Sequence, residues 1–547
     1  MEKTSTVPLR YTVYAISIAG FLGSLVMAMS LGTGYVFPAI FGAFAALGTY
    51  DLLQRKHTVS RNYPIMANFR YLLESVGPEI RQYFIQSDTE ERPFSREQRT
   101  IVYQRAKNIL DKRPFGSQLS MYDEGFEWMN HSLSPTQLPD SDFRILIGKS
   151  CRKPYSASVF NISAMSFGSL SANAILSLNT GARMGGFYHD TGEGSISRYH
   201  RQPGGDLVWE IGSGYFGCRH TDGSFNEEMF RANATLDQVK MIEVKLSQGA
   251  KPGHGGILPG AKVTPEIAEA RGVAVGEDCI SPASHSAFSN PVELLEFVDR
   301  LRELADGKPV GFKLAIGHPW EWFAIVKAML KTGRKPDFIV VDGGEGGTGA
   351  APLEFINRLG MPMTEALLLV HNTLVGTNLR EDIAIGAAGK ITSAFNIART
   401  LALGADWCNA ARGYMFALGC IQALNCHTGR CPSGVATQDP RRGNKLDVEY
   451  KSQRVHNFHK NTLDALQNLL QASGLKHPSE LGPEHIVRRV SKTEVHSYLD
   501  LFPFLEPGAL LEGKTDLTVF DKYWDDARPD TFGPPEFILK LRETKLR

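Results

Sequence analysis

The chain has 547 residues, with 59 basic against 58 acidic side chains and a formal net charge of +1. Charges that nearly cancel, with no long run of one sign, leave no electrostatic footprint for nucleic acid and favour a small substrate. Seven cysteines, an odd number with three crowded together, make no disulfide framework and point to a reduced, cytoplasm-facing catalytic body.

From Tyr11 to Tyr50 no residue is charged, and the run divides at Leu31-Gly32-Thr33-Gly34 into two apolar halves. At about 1.5 Å of helix rise per residue, each half is about one bilayer crossing long. Lys3 and Arg10 precede the first half, and Arg55, Lys56 and Arg61 follow the second. The positive-inside rule then keeps both ends in the cytoplasm and places a hairpin, residues 1–53, in the inner membrane. A signal peptide fits less well, because the stretch is too long and lacks a small-x-small cleavage site. The second half is the weaker span, since Pro38 and several glycines interrupt it.

Residues 54–150 read as a polar, helix-rich connector, with helical spacing over 72–84 and 95–110. Short apolar runs then alternate with helical stretches: 158–164, 310–314, 338–341, 383–385 and 407–410. That alternation predicts parallel strands with crossover helices, hence an α/β fold of the (β/α)8 TIM-barrel type over residues 151–470. Residues 471–547 form a C-terminal extension with no assigned function.

Asp342-Gly343-Gly344-Glu345-Gly346-Gly347-Thr348-Gly349 follows an apolar strand, which puts small residues and free backbone N–H groups at the strand's C-terminal end. Nests of this kind bind phosphate, and in a barrel that end carries the active site. No Gly-Lys-Ser/Thr follows, so it is no Walker loop. A flexible turn is the plainer alternative. Gly386 to Lys390, including Gly389, together with Gly404, Arg412 and Gly413, supply a second phosphate element. Lys313, at the end of another strand, could stabilise negative charge on a flavin ring.

Cys420, Cys426 and Cys431, the last followed by Pro432, are three thiols within a dozen residues. Thiolates ligate iron-sulfur clusters, and a ligand followed by proline occurs in such loops. Zinc is the competitor, with His427 as a fourth ligand, although zinc sites favour closer pairs; unligated cysteines are the third reading. The loop from Gln248 to Gly256, with Lys251, Lys262 and Arg271, concentrates positive charge suited to a dicarboxylate, against the alternative of a solvated loop. Glu193 is either an acid or an ordinary turn carboxylate.

Taken in order, Ala164-Met165-Ser166-Phe167-Gly168-Ser169, Gln248 to Gly256, Asp342 to Pro352 and Cys420 to Gln438 resemble the FMN- and cluster-binding region of the glutamate synthase large subunit. The likeness spans roughly residues 161–470 and is strongest to short, stand-alone members of that family. It implies an FMN-binding barrel, a 3Fe-4S cluster on Cys420, Cys426 and Cys431, and reduction of 2-iminoglutarate, formed from 2-oxoglutarate and ammonia. By position, Lys251, Arg271 and Ser289 would hold the oxo acid, and Glu193 and Lys245 would flank the imine carbon. Ala164, Met165, Ser166, Lys313, Gly343, Gly344, Gly346, Gly347, Thr348, Gly389, Gly404, Arg412 and Gly413 would cradle FMN. Where the family has a glutamine this chain has Ile257, and His254 replaces a nearby acidic residue. A different oxo acid or amine, or a membrane-anchored electron-transfer subunit, therefore stays open as an alternative. No amidotransferase or nicotinamide module is recognised, so the implied partners are an ammonia source and an electron donor, a ferredoxin or a reductase subunit.

Overall fold

The computed structural model describes residues 9–54, 58–85, 92–515 and 517–545. Lys3, Arg55 and Lys56, used above for orientation, lie outside them. The chain divides into two compact units, Met1–Glu97 and Gln98–Arg547.

In the first unit, α1 (Thr12–Leu31) and α2 (Val36–Leu53) form a hairpin. Both helices are long and apolar enough to cross a membrane, with hydropathies of 1.8 and 1.5. Glycines admit rings between them: Gly20 lies against Phe41, Gly42 against Phe21 and Gly48 against Tyr14. Pro38 does not break the second helix as the sequence suggested. It occupies the first turn, where a missing N–H costs nothing. After a short helix at Thr58–Asn62 comes α3 (Met66–Ile80).

The second unit is built on a closed barrel of eight parallel strands. These are β1 (Phe160–Ile162), β2 (His189–Asp190), β3 (Leu207–Ile211), β4 (Val239–Lys245), β5 (Val310–Leu314), β6 (Phe338–Asp342), β7 (Ala384–Ala388) and β8 (Trp407–Ala410). β8 closes on β1 through the register Cys408 to Phe160, Asn409 to Asn161 and Ala410 to Ile162. The (β/α)8 barrel expected from the sequence is the fold.

The crossovers are α4 (Ala172–Gly185), a single turn at Arg198–Arg201, α5 (Glu227–Ala234), α6 (Pro291–Leu304), α7 (Pro319–Thr332), α8 (Met363–Gly376) and α9 (Ala394–Ala402). Side-chain caps start several of them: Ser171 accepts from Ala174 N, Asn290 from Glu293 N and Ser393 from Asn396 N. The ring is completed by α10 (Val448–Ala472), which packs closely on α4 because Gly181 presents no Cβ to Val455. A hairpin of Arg144–Ile147 with Tyr155–Ser158 plugs the barrel floor, packing Ile147, Tyr155 and Ala157 against Tyr188, Met241, Val340 and Trp407.

Two expectations change. The stretch 54–150 is helical only as far as Ala106 and then runs mostly irregularly to the strand Glu127–Met129. That strand pairs with Ile486–Arg489, which pairs in turn with Val495–Ser497, so the segment before the barrel and the segment after it share one sheet. The extension beyond 470 is likewise integral. Phe520 and Trp524 lie on Phe323 of α7 at ring-centroid distances of 5.2 and 5.5 Å. Strands β2, β3 and β4 also went unread, because their sequences carry Asp190, Glu210, Glu243 and Lys245 where an apolar run was sought.

Candidate active site

The C-terminal ends of the barrel strands bring Glu193 and Lys245 together. Lys245 ends β4, Glu193 sits in the loop after β2, and Lys245 Nζ lies 2.8 Å from Glu193 Oε2. Burial alone would raise the Glu193 carboxyl; Lys245, with Arg271 and Lys251 behind it, outweighs that and holds it down to about 2. The carboxylate is therefore ionised near neutrality unless a bound group intervenes. Gly192 permits this placement: it has φ +64°, and a Cβ there would stand 2.7 Å from Ser166 N. The loop after β2 thus touches the loop carrying Ala164, Met165 and Ser166.

Glu193 and Lys245 line one pocket with Lys251, Ser213, Ser281 and His254. Burial lowers the Lys251 ammonium, with Glu193 opposing and Lys245 adding to the effect. Arg271 stands behind this pocket. It is 5% exposed, donates to Phe167 O at 3.2 Å and stacks over the Phe216 ring, so it clamps loops while its charge reaches Glu193. Ser289 is not brought to the pocket. Its hydroxyl and N–H both bind Glu293 Oε2, at 2.8 and 2.7 Å, at the start of α6.

Beneath the pocket lies a charged core that the sequence did not reveal. Lys313 Nζ is 2.8 Å from Glu210 Oε2 and 3.9 Å from Glu243 Oε1. Oxygens of Asp190, Glu210 and Glu243 lie within 4.8 Å of one another. Burial and the neighbouring Glu210 push Asp190 up to about 7, and burial with Asp190 raises Glu243. Like charges this close in a dry interior do not all ionise, so the triad holds at least one proton against a single lysine.

The glycine loops behave differently from a simple phosphate nest. Gly343 N donates to Ala388 O, Gly344 N to Met361 O and Gly346 N to Gly343 O, so these three N–H groups are already used. The glycines instead allow crowding: a Cβ on Gly343 would meet Met363 Cβ at 2.5 Å, and one on Gly389 would meet the Met363 sulfur at 3.0 Å. Arg412 lies against Gly347 and donates to Thr348 O at 3.4 Å, joining the loops after β6 and β8. Gly413 follows it in the next helix, Arg412–Leu418. Gly404 does not belong to this face. It precedes β8, at the opposite end of the barrel, and its φ of +107° serves a turn against the His371 ring.

The helix Arg412–Leu418 runs directly into the cysteine loop. Cys420 Sγ accepts from Gln422 N at 3.5 Å, and Cys431 Sγ lies 3.3 Å from Ser433 Oγ. Burial, then Cys426 and Cys431, raise the Cys420 thiol to about 11, while hydrogen bonds from Ser433 and nearby backbone bring Cys431 below its usual range despite burial. Arg412 faces Cys426 and Cys420. Tyr103 Oη donates to Cys420 O at 2.6 Å, and Gln438 Nε2 donates to Gly168 O and Leu170 O, tying this loop to the one after β1. Cys279, by contrast, is a lone acceptor for Arg271 at 3.6 Å.

Residues 130–476 match the conserved region of glutamate synthase. The chain belongs to the glutamate synthase family. It is 39% identical over 488 residues to the glutamate synthase large subunit-like protein YerD of Bacillus subtilis, covering 82% of this chain and 92% of that one. It is 36% identical over 315 residues to the archaeal glutamate synthase [NADPH] of Methanocaldococcus jannaschii, covering 57% of this chain and 58% of that protein. The archaeal-type glutamate synthase [NADPH] of Thermotoga neapolitana is 34% identical over 313 residues, with 57% and 58% covered. This family member is an oxidoreductase of the glutamate synthase type.

Proposed function

We propose that this protein reduces 2-iminoglutarate, formed from 2-oxoglutarate and ammonia, to glutamate, using FMN and a 3Fe-4S cluster. The Glu193–Lys245 pair beside Lys251, in one pocket at the mouth of the barrel, carries the reading. Both cofactors suit the residues present. Gly343, Gly347 and Gly389 let Met363 and Arg412 close against the loops after β6 and β7, and two cations at this end of the barrel, Arg412 and the buried Lys313, suit a phosphate and negative charge on a flavin ring. Cys420 feels the charges of Cys426 and Cys431, and Cys420 and Cys431 have N–H and O–H donors at their sulfurs, as cluster ligands do.

When bound, FMN supplies the hydride and the cluster relays single electrons to it. Lys251 binds a substrate carboxylate, with the Ser213 and Ser281 hydroxyls on the same wall. Lys245, charged and held by Glu193, is placed to give a proton to nitrogen as carbon is reduced. Arg271 orders the loops around them from behind. Electrons would come from a ferredoxin or a reductase subunit, and ammonia from solution or a partner. The apolar hairpin would anchor the barrel to the cytoplasmic face of the inner membrane.

Anaerobic spectroscopy of dithionite-reduced protein tests this reading: 2-oxoglutarate with ammonium should reoxidise the flavin, and failure to do so rejects it. A second reading keeps the cofactors and changes the substrate. It is favoured by His254, which forms part of the pocket wall, whereas Ile257 is 63% exposed and lies outside it. A panel of oxo acids and amines separates the two, the preferred pair being the one that reoxidises fastest.

A further inference from the structure

The helix α3 has an apolar stripe that nothing among the described residues covers. Phe69, Leu72, Leu73, Val76 and Ile80 recur at spacings of three and four, which gathers them on one face. They are 59, 57, 48, 38 and 40% exposed, and Phe84 in the following turn is 85% exposed. A soluble helix with this pattern turns such a stripe inward; here it faces outward.

The depth of α3 is set by the hairpin. α2 has 18 residues, so at about 1.5 Å per residue it is close to one hydrocarbon thickness. Its last turn contains Asp51, 2% exposed, a carboxylate that hydrocarbon cannot hold without partners. Asp51 Oδ2 accepts from Ile65 N at 2.9 Å and from Asn68 Nδ2 at 2.6 Å. The start of α3 is therefore fastened where α2 leaves the apolar layer. Arg61 before α3 and Arg81 after it are exposed, which suits anionic headgroups.

We infer that α3 is an interfacial helix, lying in the headgroup layer of a lipid bilayer with the Phe69–Ile80 stripe turned to the acyl chains. This rests on the reading of α1 and α2 as a membrane hairpin. It adds a second membrane contact, continuous with the first, that fixes the chain at the bilayer surface before it continues to the barrel unit.

The test uses the full chain in phosphatidylethanolamine–phosphatidylglycerol vesicles, with benzoylphenylalanine introduced singly and adducts identified by mass spectrometry. Positions Phe69, Leu73, Val76 and Ile80 should yield lipid adducts roughly fivefold or more above Ser75 and Arg81, which flank the side away from the stripe. Leu22 and Phe44, exposed on the hairpin helices, report the hairpin separately. Lipid adducts at Leu22 and Phe44 combined with peptide adducts, or none, along the α3 stripe would overturn the interfacial helix and leave the hairpin standing. Equal yields on both faces of α3 would also overturn it. An absence of lipid adducts at Leu22 and Phe44 as well would reject hairpin and helix together.

Discussion

The two sides of the barrel are made of different material. Strands β5 to β8 are mainly apolar apart from Lys313, Asp342 and Asn409: Val310, Phe312, Ile339, Val341, Ile385 and Trp407 are fully buried. Strands β2 to β4 carry Asp190, Glu210, Glu243 and Lys245, three of them buried carboxyl groups served by Lys313 from β5. One side holds the barrel closed by packing, and the other holds charge in a place where charge is costly. The acidic side also supports the pocket, which indicates that the cost is retained for chemistry and not for stability.

Removing Lys313, the cation paired directly with the triad, would break this contrast most severely. Lys313→Met should destabilise the fold by about 3–5 kcal/mol, because Glu210 and its neighbours are left uncompensated in the interior; denaturant unfolding measures it, and a loss below about 1 kcal/mol would mean the triad is already neutral. In the pocket above, Glu193→Gln should leave the fold intact and lower turnover by roughly a hundredfold or more, read as the rate of flavin reoxidation by substrate.

The pH dependence distinguishes two carboxyls on the same side. Asp190 is raised from 3.8 to about 7, so the native state holds a proton that the unfolded chain releases. Its contribution makes stability fall as pH rises between those values, by at most about 1.4 kcal/mol per pH unit. Asp190→Asn should flatten that slope, and an unchanged slope would assign the proton elsewhere in the triad. Glu193 has the opposite sign: its folded value of about 2 is below the ordinary 4.5, so its contribution is present above that range and is lost on acidification. On the apolar side, Ile339→Val should cost only about 0.5–1.5 kcal/mol and leave the pH profile unaltered.

The same contrast explains what could be read in advance. β5, β6 and β8 were placed within a residue because short, largely apolar runs signal a doubly covered strand. β2 to β4 were invisible because inward-facing charge imitates a loop, and β2 is only two residues long. In the site, Glu193, Lys245 and Lys251 were read from ordered motifs, and they meet in one pocket. Ser289 does not join them, since a serine next to Asn290 and Glu293 is recruited by the helix start. Gly404 was misplaced because a glycine before a strand and one after it look alike without topology. The charged triad needed three strands side by side before it existed at all.

The pairing of Glu127 with Arg488 has a consequence for synthesis. The strand Glu127–Met129 leaves the ribosome long before its partner, so its edge waits unpaired while the whole barrel is made. During that interval it is a candidate for mispairing, and the late arrival of Ile486–Arg489 covers it. The hairpin, made first and almost wholly of local contacts, has no such wait. An early local hairpin and a late sheet closure give this protein an order of assembly written along its chain.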